Sequence, residues 1–60
     1  MNTQSARAPK DIPAWHDKMA KQWRRAAATA PDAELAHNCR TYVQHHVAEA
    51  KRLRAAEGAQ

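Results

Sequence analysis

Apolar positions recur at helical spacing twice along the chain. From Ile12, the residues Ile12, His16, Met19, Trp23, Ala26 and Ala30 keep an i, i+3, i+4 rhythm, with Trp15 and Ala27 at its margins and Lys18, Lys21, Arg24 and Arg25 outside it. Between Pro31 and Glu57 the rhythm is longer. Leu35, Cys39, Tyr42, Val43, His46, Val47, Ala50 and Leu53 share one face at about 100° per residue, and Glu34, Gln44, Ala48, Glu49 and Arg52 lie off it. The pattern predicts two amphipathic helices, over about 12–29 and about 31–57.

The boundaries follow from residue chemistry. In Asp11-Ile12-Pro13, aspartate suits a helix N-cap and proline is tolerated in a first turn, where its missing N–H would have had no partner. Pro31 ends the first helix, because inside one it would remove a hydrogen bond and clash with the Ala27 carbonyl, at about 3 kcal/mol or more. Thr29 or Ala30 is then expected to cap the second helix, with Pro31 in its first turn and Asp32 and Glu34 near the positive end of its dipole. Lys51, Arg52 and Arg54 suit the opposite end, and Gly58 is expected just beyond it. So short a connection makes the helices antiparallel neighbours. Residues 1–10 have no apolar period and are expected to form a disordered or draped basic arm carrying Arg7 and Lys10. The organisation expected is therefore an arm over 1–10, a helical hairpin over 11–58 and a tail at 59–60.

Composition narrows the class. Fifteen of the 60 residues are alanine, phenylalanine is absent, and only eleven apolar side chains are larger than alanine, Met1 among them. Strong helix formers dominate and the supply of β-branched and aromatic residues is too small for a sheet, so the fold class is all-α. A chain of this size buries only about 60% of the surface its unfolded form exposes. A two-helix layer also leaves the outer half of its large side chains wet. The expected remedy is a homodimer forming a four-helix bundle. Its core and seam would use Met19, Trp23, Leu35, Cys39, Tyr42, Val43, His46, Ala50 and Leu53.

Four histidines and one cysteine raise the question of chemistry. Structural zinc sites use closely paired ligands, whereas Cys39 and His46, which share a face, stand about 10 Å apart along the helix. No metal and no cofactor is expected. Cys39 as a nucleophile needs a base and an oxyanion site that a slender hairpin does not offer, which argues against an enzyme. His46 reads as a core-facing polar group whose ring nitrogens find partners. A single cysteine excludes an internal disulfide, and no run of about 18 apolar residues suggests a membrane span. A soluble, cytoplasmic protein with no membrane partner is the expectation.

The formal net charge of +4 permits acidic partners without naming one. Arg7, Lys10, Lys51, Arg52 and Arg54 gather at the open end of the expected hairpin. Trp15 lies beside them at the stripe margin, where an aromatic side chain can anchor an interface. These six are the candidate partner-binding residues.

In length, hairpin plan and small-residue seam the chain is similar to the Rop family of plasmid copy-number proteins, helical hairpins that dimerise into four-helix bundles and bind paired RNA loops. The resemblance implies a dimer and an RNA-binding alternative. No RNA-binding residue carries over, and Glu49 stands where a heptad counted from Leu35 and Tyr42 calls for an apolar residue. The chain also looks like the small alanine- and arginine-rich accessory proteins of phages and plasmids that inhibit host factors by binding them. The expected function is a small protein-binding regulator or inhibitor acting on an unidentified host protein. Nucleic-acid binding is the alternative.

Overall fold

The computed structural model describes residues 8–58. Residues 1–7, with Arg7 and most of the expected arm, and the tail at 59–60 lie outside the described residues. Two α-helices, α1 (Pro13–Ala28) and α2 (Ala33–Gly58), follow a short 3-10 turn, Pro9–Asp11. Among the described residues there is no strand, and the fold is an all-α helical hairpin.

Prolines shape the entry to α1. Ala8 (φ −72°, ψ 152°) and Ile12 (φ −109°, ψ 114°) are both extended, the conformation that a following proline favours. Between them the Asp11 N–H donates to the Ala8 carbonyl at 2.9 Å and the Ile12 N–H to the Pro9 carbonyl at 3.0 Å. One expectation is corrected here: Asp11 belongs to the hydrogen-bonded turn that begins at Pro9 instead of capping α1. Ile12 holds the N-cap position, with no side-chain cap, because Pro13 forces the preceding residue into the extended geometry that an N-cap requires.

The connection and the end of α2 bring further corrections. Thr29 closes α1, its N–H and Oγ1 donating to the Arg25 carbonyl at 3.2 and 3.1 Å. Asp32, not Thr29 or Ala30, caps α2. Its Oδ1 accepts the Leu35 N–H at 2.8 Å and its carbonyl accepts the Ala36 N–H at 3.1 Å. Pro31 lies outside the helix, and Gly58 is the last residue of α2 with no positive φ, so it does not act as a left-handed terminator.

At 1.5 Å per residue α1 is about 24 Å long and α2 about 39 Å, so the end of α2 overhangs the start of α1. The molecule measures 44 × 29 × 12 Å, a slab one helix thick. Where the helices meet, the buried apolar residues are Ala20, Cys39, Val43 and Ala50, accompanied by Pro13, His16 and His46. These side chains are small, which lets the backbones approach closely. Among the described residues no large side chain is fully buried. No helix among the described residues is long and apolar enough to cross a membrane.

Candidate functional site

The helical period places Met19 and Trp23 of α1 on the same side of the hairpin as Leu35, Tyr42 and Leu53 of α2. Two observations tie this flank together. Trp23 and Tyr42 stack across the hairpin with ring centroids 4.6 Å apart and planes 23° from parallel. Beside them runs an open groove of about 440 Å³ lined by Trp23, Leu35, Asn38, Cys39, Thr41 and Tyr42. Met19, Trp23 and Leu53 are half-buried. Leu35 and Tyr42 are not core residues of the single chain, being 44% and 50% exposed. The face of α2 that packs on α1 is centred on Cys39, Val43 and Ala50, which turns Leu35 and Tyr42 outward on one flank and Val47 outward on the other.

At the open end the helices meet through two histidines. Nδ1 of His16 lies 2.8 Å from Nδ1 of His46, and Nε2 of His16 lies 2.8 Å from the Lys10 carbonyl. Both rings are buried. Trp15 covers them edge-on, its centroid 4.9 Å from His16 and 5.6 Å from His46. His45 is exposed and touches the His46 ring edge-on at 5.5 Å. Burial holds the His46 imidazole below its ordinary pKa, and the charges of His16 and His45 push in the same direction.

His46 thus has a partner that periodicity alone does not identify. The stripe on α1 contains His16, yet a stripe gives a face, and only the register between helices brings the two rings together. Ala20 is a second such omission, a small residue buried in the seam.

The basic residues divide by whether a carboxylate meets them. Arg54 grips Asp17 through two hydrogen bonds of 2.6 and 3.3 Å, joining the helices. Arg52 grips Glu49 at 2.7 and 3.2 Å within α2. The hydrogen bonds hold both carboxyls below the usual range and raise both guanidinium groups. Both pairs are largely solvated, so solvent screens most of their attraction. Lys10 enters the architecture through its carbonyl while its side chain is exposed, as is Lys51. Among the described residues no carboxylate lies within ion-pair distance of Lys18, Lys21, Arg24, Arg25 or Arg40.

No cluster of three metal-ligating side chains occurs among the described residues. The two histidine nitrogens that face each other are spent on one another, and Cys39 is a buried free thiol. Comparison with protein-family models, curated proteins and solved structures returns no match.

Proposed function

We propose that this chain is a homodimeric, non-enzymatic helical hairpin that works by binding another protein, as a small cytoplasmic regulator or inhibitor of the kind carried by phages and plasmids. The observation that carries the reading is the flank around the Trp23–Tyr42 stack, where large apolar side chains and an open groove face water on a slab one helix thick. Two copies meeting flank to flank would form a four-helix bundle and cover Leu35 and Tyr42. That leaves the open end, with Trp15, Lys10, Lys51, Arg52 and Arg54, for the partner. The non-enzymatic part of the reading is supported by the structural employment of His16, His46 and Cys39.

A second reading, nucleic-acid binding of the Rop type through the basic open end of the hairpin, is supported by the exposed Lys10 and Lys51 there and by the α1 cations that no carboxylate meets among the described residues. The test is capture of partners from a host lysate with and without nuclease, followed by affinity measurements over a range of salt. On the protein-binding reading, capture survives nuclease, and Trp15→Ala weakens it more than Arg52→Ala with Arg54→Ala, because desolvated large side chains carry affinity while exposed charges mainly affect association rate. On the nucleic-acid reading, each neutralised phosphate steepens the fall of log affinity with log salt by about 0.7 to 0.9. Selective nucleic-acid binding that survives Trp15→Ala and disappears in the double arginine variant would reverse the ranking.

A further inference from the structure

The contacts of His16 and His46 determine where each proton of the pair sits. A carbonyl only accepts, so Nε2 of His16 carries a hydrogen and donates it to Lys10. Neutral His16 then presents a bare lone pair at Nδ1, and Nδ1 of His46 must donate across the 2.8 Å gap. Of the two ring nitrogens without a hydrogen, Nδ1 of His16 accepts from His46, and only the lone pair on Nε2 of His46 is left unengaged. It has no hydrogen-bond partner among the described residues, and no buried side-chain nitrogen or oxygen there lacks one, so this atom reaches solvent.

We propose that the two histidines form a one-proton latch between the helices, taking a first proton at Nε2 of His46 with the inter-ring bond intact and opening when a second arrives. The first proton enters from solvent and leaves Nδ1 of His46 still donating, now from a charged ring. The second has only Nδ1 of His16 to occupy. Two N–H groups would then confront each other across a gap that fits one hydrogen, between two like charges, and the rings must separate. Because Trp15 rests on both rings, its environment changes at the same step.

The surroundings bear on both protons. The preceding turn contributes Lys10 and Asp11, α1 contributes Asp17, and α2 contributes His45 and Glu49. The carboxylates of Asp17 and Glu49 both couple to a charge on His16, the ring that takes the second proton. They are themselves partly neutralised by Arg54 and Arg52, which limits how far they can favour a second. Burial of His46 and the nearby His45 oppose the proton on His46. Strongly interacting sites of this kind release protons in two macroscopic steps that belong to the pair.

The latch lies within one chain, so its test does not depend on oligomeric state. Long-range proton–nitrogen NMR spectra of the full ¹⁵N-labelled chain near pH 8 should show His16 as the Nε2–H tautomer and His46 as the Nδ1–H tautomer. On acidification two separate steps are expected. The His46 nitrogens move first, with the Trp15 indole resonance and helical circular dichroism unchanged, and the His16 and Trp15 signals move together in the second. His46→Asn offers a non-titrating donor near the Nδ1 position and should abolish the first step while keeping the contact at neutral pH. The Nε2–H tautomer on both rings, or a single step in which the rings titrate independently, would overturn the proposal. Should His46→Asn fail to fold, the tautomers and the step count of the unmodified chain decide the matter alone.

Discussion

A histidine buried against another histidine ties the stability of the fold to pH. The folded-state pKa of His46 is lowered, so its contribution to stability is fully present above the unfolded value near 6.5 and is lost as pH falls through that value toward the folded one. Thermal melts should therefore show a falling midpoint below about pH 6. His46→Leu should act in two opposite ways. Near pH 8 it leaves the lone pair of His16 Nδ1 buried without a donor, a loss of about 1–3 kcal/mol, while on the acid side it flattens the pH dependence. A mutant whose midpoint falls with acid as steeply as that of the parent would show that His46 does not carry the effect. Trp15 belongs to the same cluster, so its candidate role as a partner anchor competes with its role as the cover over two rings.

At the scale of elements, the ends of the helices are set by competition around prolines. Counting Pro31 into the first turn of α2 puts the expected cap at Thr29 or Ala30 and Asp32 inside the helix, whereas the cap is Asp32. The structure separates them physically: the Thr29 hydroxyl is used in closing α1, Ala30 has no side-chain acceptor, and Asp32 stands three residues before the N–H of Leu35. Asp32→Ala should destabilise the hairpin by about 1 kcal/mol. In a domain this small that lowers the melting midpoint by roughly 4–8 °C, and Asp32→Ser should recover most of it. An unchanged midpoint in Asp32→Ala would mean that water replaces the cap without loss. The two helices were legible because Met19, Trp23, Cys39, Val43, His46 and Ala50 repeat at 3.6-residue spacing. The histidine pair was not, because periodicity fixes the face of each helix but not the register between them. That register depends on the number of residues spent turning at Thr29 to Asp32.

The whole molecule is a slab 12 Å thick whose largest side chains sit at its margins. Small buried residues bring the helices close but supply little apolar area, and the Trp23–Tyr42 flank supplies more when covered than it does in a single chain. Light scattering should accordingly give about twice the 6.7 kDa chain mass. Leu35→Lys, which places charge on an exposed position and leaves the Trp23–Tyr42 stack between α1 and α2 in place, should shift the mass toward that of one chain and make helicity more sensitive to heat. A folded parent chain that stays monomeric at every concentration would remove the dimer from the proposal and leave the flank to a different protein.

The single thiol of the chain lies inside the seam, with Cys39 only 3% exposed. Although the residue borders the groove beside Trp23 and Tyr42, so little of it is exposed that alkylation is expected to be slow while α1 and α2 remain together and to proceed mainly through molecules that have momentarily opened. When closing is fast compared with alkylation, the observed rate equals the intrinsic thiol rate multiplied by the fraction open. Cys39 therefore serves as a built-in kinetic counter of helix separation, read from the rate at which its thiol is consumed.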